Sequence, residues 1–241
     1  MNHWIDIEAL LLTLQLALST TVVLLAIAIP LAWWLASGRS AGRALLQALV
    51  ALPLVLPPTV LGFYLLVALG PLTPIGRLLI RLIGHPLAFS FSGLLIGSLI
   101  YSLPFAVQPL VAGFSTVDSA YLEAAAGIGM TPRAAFAQIV LPMTRGSMLT
   151  AAILTFTHTV GEFGVVLMLG GNIPGATRTL SIALYDQVQD FDYLAANRTA
   201  GILLGFALLA LLAIYLQPAF RQALRRTQRT VPVNVSGDVL G

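Results

Sequence analysis

The sequence contains five long apolar segments, and these constrain the fold more than any other feature. A helix that crosses a bilayer needs about 20 apolar residues. Charged residues make up only 9% of the 241 residues, against roughly 25% in an average soluble domain, and hydrophobic residues make up 58%. A soluble fold of this length cannot cover so much apolar surface. We therefore predict an all-α integral membrane protein with five transmembrane helices, and room for a sixth, over segments 7–36, 44–69, 87–114, 148–169 and 200–216.

The residue types present exclude most enzyme classes. The absence of cysteine removes thiol catalysis, thiolate metal sites and disulfides. There is no glycine-rich phosphate-binding loop, so we do not expect this chain to bind ATP itself. His158 and Glu162 form no H-E-x-x-H metal pattern, and His158 lacks the Gly-x-Ser-x-Gly partner of a serine hydrolase. We therefore predict neither catalytic residues nor a metal site in this chain.

The arginines predict how the chain is oriented. All 12 basic residues are arginines; eight follow the first, third and fifth segments, and four follow the second and fourth. Because cytoplasmic loops carry the excess of basic residues, this pattern favours an N-terminus outside and a C-terminus in the cytoplasm. Arg77 and Arg81 work against the rule, since they fall in an outside loop. The scattered positions also argue against nucleic acid as a partner.

Both ends of the chain carry signals for membrane attachment. No positive residues precede the first segment, and it is far longer than a signal-peptide core, so we expect it to be retained as a span. Trp33 and Trp34 at its end are typical of an interfacial aromatic belt. Residues 218–241 form a basic and polar tail, predicted to be a cytoplasmic stop-transfer sequence, with binding of anionic lipid as the alternative.

The connection 115–146 between the third and fourth segments has the clearest local signals. Asp118 is a candidate N-cap for a short helix, which Gly127 and Gly129 interrupt. Thr131 followed by proline predicts a second helix, which should reach about Val140 and stop before Pro142. The sequence thus predicts two short helices outside the bilayer. They either pack on the ends of their own spans or dock against a partner protein.

Seven residues of this connection match a known pattern, E-A-A-x3-G-x9-I-x-L-P, at every fixed position: Glu123, Ala124, Ala125, Gly129, Ile139, Leu141 and Pro142. The match resembles the EAA loop of type I ABC importer permeases. The resemblance implies the transmembrane fold of that family over 7–217, with a cytoplasmic coupling helix seated in a groove of a separate ATPase subunit. It also implies that Glu123 faces the ATPase and that Gly129 permits the turn.

Three further stretches, 29–36, 52–66 and 158–178, resemble molybdate importer permeases. This likeness implies a bacterial inner-membrane protein that pairs with a second copy of itself. Its other expected partners are two cytoplasmic ATPase subunits, which hold ATP and magnesium, and a periplasmic oxyanion-binding protein. No cofactor is expected in this chain. Import of sulfate, thiosulfate or tungstate remains an alternative within the class, and a non-transporting membrane scaffold is the alternative outside it.

Internal polar residues of the fourth segment fall at helical spacing: Thr155, His158, Thr159 and Glu162. Such a stripe should face protein or water, not lipid. Three roles are open: a structural hydrogen bond between His158 and Glu162, a lining of the pathway or outer gate, and a proton relay. Because no arginine or lysine falls within a span, an oxyanion would meet only hydroxyls, backbone groups and helix ends.

The outside connection 170–198 predicts a helix from Thr179 to about Val188. This helix either packs on the bundle or contacts a periplasmic binding protein. Arg178 and the two arginines at 77 and 81 would then steer anions, pair with that protein or remain ordinary loop arginines.

Overall fold

The computed structural model describes residues 6–38 and 40–229, and no strand occurs among them. The predicted all-α fold is confirmed. The helices are α1 (Ile7–Ala36), α2 (Ala41–Ala51), α3 (Pro58–Ala68), α4 (Pro74–Ile83), α5 (Phe91–Phe114), α6 (Ser119–Gly127), α7 (Pro132–Ala135), α8 (Leu141–Met143), α9 (Arg145–Gly161), α10 (Gly164–Gly170), α11 (Leu180–Gln189) and α12 (Tyr193–Arg229). A short 3₁₀ turn, Leu52–Leu54, follows α2, and a π-helical segment, Phe136–Val140, joins α7 to α8.

The helices give up to five candidate membrane spans within the described residues. Three helices are long and apolar enough to cross alone: α1, α5 and the Tyr193–Leu216 part of α12. Two more candidates are bent pairs, α2 with α3 at 109° and the α7–α8 stretch with α9 at 72°. Pro53, Pro57 and Pro58 occupy the first bend, because proline lacks the N–H that would continue the helix.

The centre of the bundle is α5, which packs against both α1 and α9. Leu94 and Leu110 of α5 and Leu16 and Leu24 of α1 are almost fully buried. Pro104 and Pro109 lie inside α5 and do not end it, as is common where neighbouring helices surround a membrane helix. This arrangement brings the polar residues of α5 and α9 into contact.

The two ends of α1 contact different parts of the chain. Near its C-terminal end, Trp33 packs against Phe114 and Phe136, with ring centroids 5.8 and 5.2 Å apart. Near its N-terminal end, the Thr13 hydroxyl accepts a hydrogen bond from the Leu180 amide at the start of α11 (2.8 Å). At 1.5 Å per residue α1 is about 45 Å long, so α6 and α11 lie at opposite ends of the bundle.

The two tryptophans predicted to form an aromatic belt have different environments. Trp34 is exposed and stacks under the Arg43 guanidinium, 4.9 Å from the ring centroid. Trp33 is instead part of the aromatic core, because it projects from the face of α1 that meets Phe114 and Phe136.

The last helix, α12, extends the fifth predicted span at both ends. It continues through Arg229, so residues 218–229 of the predicted tail are helical and continuous with the span. Residues 230–241 and Arg39 lie outside the described residues. Only 6% of the apolar window of α12 is buried, so this helix has the surface of a lipid-facing span.

Candidate functional site

The turn after α6 is fixed by backbone hydrogen bonds and one glycine. The Asp118 carboxylate caps the helix by accepting from the Ala120 amide (3.0 Å). At the other end the Met130 amide donates to Ala125 (3.0 Å) and the Gly129 amide to Ala126 (2.9 Å), which is the Schellman pattern. Gly129 has φ +77°, a conformation that favours glycine. The predicted bend is therefore present at Gly129, whereas Gly127, which was also expected to interrupt the helix, is the last residue of α6.

Replacing Gly129 by alanine should loosen this turn by about 1 kcal/mol, because an L-residue is strained at positive φ. We expect the amides of residues 128–131 to exchange with deuterium about fivefold faster in hydrogen-exchange mass spectrometry.

Gly127→Ala is the matched control for this prediction. An added Cβ meets no atom within 4 Å at either glycine, but only Gly129 has positive φ. Equal exchange rates in the two variants would show that the left-handed conformation does not hold the turn.

Opposite faces of α6 have different environments. Ala125 is buried and Leu122 packs against the main apolar cluster of the bundle. Glu123 and Ala124 are exposed on the other face, and Ile128 just beyond the helix is 78% exposed. The helix is therefore anchored by one face and leaves an acidic and apolar face free at the end of the bundle.

The second half of the connection departs from the prediction. Thr131 caps α7 through the Ala134 amide (3.3 Å), as expected. The chain does not stop before Pro142, however, and remains helical through Met143. The reason is the π-helical segment, in which the Leu141 amide donates to the Phe136 carbonyl one residue further back than in an α-helix. This wider turn makes room for the proline ring, which would otherwise clash with the preceding turn.

The seven EAA positions divide into exposed and packed residues. Glu123, Ala124, Gly129 and Pro142 are exposed, and Ala125 is buried. Ile139 and Leu141 are half-buried, and Leu141 packs against the same apolar cluster as Leu122. The structure thus brings the motif together as one surface element resting on the bundle.

A second group of polar residues lies inside the bundle between α5 and α9. The Ser102 hydroxyl is 2.9 Å from His158 Nδ1 and 3.1 Å from the Thr159 hydroxyl. The His158 ring stacks on Phe105, with centroids 3.9 Å apart. Thr155 and Thr159 are buried on the same face of α9. The predicted inward orientation of these residues is therefore what the structure shows.

Glu162 does not belong to the same helical stripe, contrary to the sequence prediction. Helix α9 ends at Gly161, and Glu162 is extended at ψ 133° before α10 begins at Gly164. The hydrogen bond between His158 and Glu162, one of the three roles left open, does not form; each side chain instead pairs with a serine of α5. The Ser98 hydroxyl donates to Glu162 Oε2 (2.9 Å), while His158 pairs with Ser102.

The break at Glu162 is held from two sides. The Ser181 hydroxyl of α11 donates to the Glu162 carbonyl, which the end of α9 leaves unpaired. Glu162 is 4% exposed, and its Oε1 has no hydrogen-bond partner among the described residues. Glu162 therefore links α5, α9 and α11 at a point where the helical backbone is interrupted.

Sequence reasoning missed Ser98, Ser102 and Ser181. Ser98 and Ser102 are one turn apart in the third apolar segment, the spacing of a single helix face. Polar residues at that spacing within a span indicate an inward face, so the orientation of Ser98 and Ser102 was predictable from the sequence. The role of Ser181 depends on the fold of a distant loop and has no local signal.

The connection after α10 packs on the bundle through its own charges. Arg178 donates to Asp186 (2.8 Å) and lies 3.8 Å from Asp6. Asn172 also donates to Asp186. Helix α11 spans Leu180–Gln189, close to the prediction, and its first turn is buried. These contacts correspond to the packing interpretation of this loop.

Comparison with known proteins defines the class. Residues 28–226 match the family described as the inner membrane component of binding-protein-dependent transport systems. The match covers most of the chain, and the chain belongs to this family. The fold agrees: a bacterial ABC transporter involved in the import of the polysaccharide alginate matches with a TM-score of 0.68 at 19% identity, over 94% of this chain and 80% of that one.

Two curated relatives are more specific. The chain is 49% identical to the molybdenum transport system permease protein of Azotobacter vinelandii, over 91% of this chain and 97% of the relative. It is 33% identical to the protein of the same description from Haemophilus influenzae, over 88% and 91%.

Proposed function

We propose that this chain is the permease subunit of an ATP-driven molybdate importer in the bacterial inner membrane. The observation that supports molybdate as the substrate is the 49% identity along nearly the whole length of a molybdenum permease. The N-terminus is then outside and α6 lies at the cytoplasmic end of the bundle, which the arginine distribution supports.

The exposed face of α6 is the proposed docking site for the ATPase subunit. It presents Glu123 and Ala124 outward while Ala125 and Leu122 hold the helix on the bundle. Small residues allow a protein surface to approach the backbone closely, and the fixed turn at Gly129 keeps the helix in one orientation. The partner ATPase supplies ATP and magnesium, and two such subunits serve a pair of permease copies.

Movement at α6 has a direct mechanical route into the bundle. The stretch 132–143 runs into α9 through a 72° bend, and the Thr144 hydroxyl at that bend donates to the Val140 carbonyl (2.8 Å). Helix α9 carries His158 and Thr159 and ends at the Glu162 break. Closure of the ATPase subunits would move this bent unit as a body and change the packing of α9 on α5.

The proposed substrate, molybdate, is a dianion. An external binding protein, and not the permease, would bind it with high affinity. Within the described residues, no arginine lies midway along α1, α5 or α9; contrary to the sequence prediction, Arg198 falls inside the Tyr193–Leu216 candidate span, near its start. A pathway without a fixed cation passes an oxyanion and does not trap it. Glu162 would repel a dianion, so we assign it a structural or gating role.

The test is ATP hydrolysis by the complete transporter in proteoliposomes. With the ATPase and binding protein present, molybdate should stimulate hydrolysis several-fold and sulfate at the same concentration should not; tungstate is measured alongside. Stimulation by sulfate alone would show that the substrate is sulfate and not molybdate. A complex that assembles but responds to no oxyanion would favour a non-transporting scaffold.

A further inference from the structure

Helix α4 is short, amphipathic and not itself a span. It covers Pro74–Ile83, begins at the Thr73 cap, whose hydroxyl accepts from the Gly76 amide (2.9 Å), and ends at Gly84 with φ +88°. Both ends are therefore fixed by local signals, so the helix is a defined element between α3 and α5. Ten residues rise only about 15 Å, half the thickness of the hydrocarbon layer.

The helix has three distinct faces. Gly76 is buried against the end of α3, and Leu79 packs against the apolar cluster that contains Leu69, Leu87 and Leu169. A second face carries apolar side chains at i, i+3 and i+7 that are 58%, 57% and 73% exposed: Ile75, Leu78 and Leu82. The third face carries Arg77 and Arg81, one turn apart and both exposed.

The two exposed faces adjoin each other. At 100° per residue, the arginine pair lies about 110° around the helix from the apolar stripe. A helix lying in the plane of a membrane surface has this arrangement, with apolar residues toward the acyl chains and basic residues at the headgroups.

The charge around α4 is unbalanced within the protein. The sequence has no Asp or Glu from residue 9 to residue 117, and neither guanidinium has an ion-pair partner in the part of the chain that the structure describes. Anionic phospholipid headgroups at a membrane surface would supply the missing negative charge.

The position of α4 places it at the edge of the hydrocarbon layer. It follows α3 and precedes α5, and its packing partner Leu169 lies at the end of α10. The Phe89 amide, just beyond α4, donates to the Leu169 carbonyl (2.8 Å). The helix therefore lies level with the C-terminal ends of α3 and α10 and the N-terminal end of α5, at the end of the bundle opposite α6.

We propose that α4 is a lipid-binding surface element: its Ile75, Leu78 and Leu82 face enters the acyl region, while Arg77 and Arg81 bind anionic phospholipid headgroups. This explains why two arginines lie on the side where the positive-inside rule predicts few. A second copy of the chain is a less suitable occupant, because pairing this face with itself would bring like charges together at the rim.

The absence of cysteine makes a local test possible. A single Leu78→Cys substitution, labelled with bimane in the assembled transporter, reports which lipid lies beside α4. The protein is reconstituted in equal mixtures of phosphatidylglycerol and phosphatidylcholine in which one or the other carries brominated acyl chains. We expect quenching by both lipids, with roughly fivefold preference for phosphatidylglycerol.

Adding Arg77→Gln and Arg81→Gln should abolish the preference but leave the quenching, because the apolar stripe remains in the acyl region. The control removes two arginines from the other end of the bundle, Arg133→Gln with Arg145→Gln, and should keep the preference at position 78. Equal quenching by both lipids in the parent protein would overturn headgroup recognition. A label that neither lipid quenches, or a disulfide between copies of the unlabelled Leu78→Cys variant, would show that water or a second copy covers this face.

Discussion

Replacing Ala124 by tryptophan should abolish molybdate-stimulated ATP hydrolysis by the assembled transporter, a loss of about tenfold or more, while the permease itself remains folded. Ala124 lies on the exposed face of α6, so the indole meets no core residue of its own chain. It would hold the ATPase surface several ångströms away, and close-packed interfaces do not tolerate such an insertion. Stimulated hydrolysis in proteoliposomes measures the loss, and thermal unfolding of the permease checks its folding.

The matched control for this substitution is Ala137→Trp. Ala137 is also exposed in the same connection, but it is not one of the seven EAA positions. We expect it to retain most of the stimulated hydrolysis. If both variants lose stimulated hydrolysis equally, the α6 face has no special part in docking. If neither variant loses it, the ATPase docks elsewhere on the permease.

Replacing Glu162 by alanine should lower the stability of the permease by about 2 kcal/mol and slow transport. The Ser98 hydroxyl would lose its acceptor inside the bundle, and an unpaired buried donor is costly. The junction between α9 and α10 would also lose its connection to α5. Thermal unfolding in detergent and molybdate uptake by proteoliposomes measure the two effects.

Glu162→Gln separates hydrogen bonding from charge. The glutamine carbonyl can still accept from Ser98, but its NH2 group takes the place of Oε1, which has no partner among the described residues, so we expect a stability between those of the parent protein and the alanine variant, with uptake retained. Ser98→Ala should lower stability and uptake in the same direction as Glu162→Ala, but by a smaller amount. A glutamine variant that folds normally but does not transport would instead favour the proton relay that the sequence left open, since only the carboxyl group exchanges a proton.

Features that depend on neighbouring residues were predictable from the sequence. The caps at Asp118 and Thr131 and the turn at Gly129 follow from residue types that act within a few positions. The five apolar segments follow in the same way, because a bilayer acts on each segment separately. The alanine-rich surface of α6 was therefore recognisable before any tertiary contact was known.

Features set by distant contacts were not predictable. The residues around the break, Gly161 to Gly164, include no proline, and their spacing fits an uninterrupted helix. The extended conformation of Glu162 coincides with hydrogen bonds from Ser98 and Ser181, which come from two other helices. The continuation of the helix past Pro142 was not predicted for another reason. The prediction assumed α-helical geometry, in which a proline at this position would end the helix.

The π-helical segment at Phe136–Val140 also has a consequence for how the sequence can vary in length. A single wide turn holds one residue more than the α-helix around it would need. Removing that residue would close the turn to an α-helical one and leave the following residues on nearly the same faces, whereas removing a residue from the regular part of α9 would rotate everything after it by about 100° relative to α6. His158 and Thr159 would then turn away from Ser102. The π-helical segment is thus the one place in this connection where the chain can lose a residue without turning the polar cluster away from α5, while α9 itself cannot.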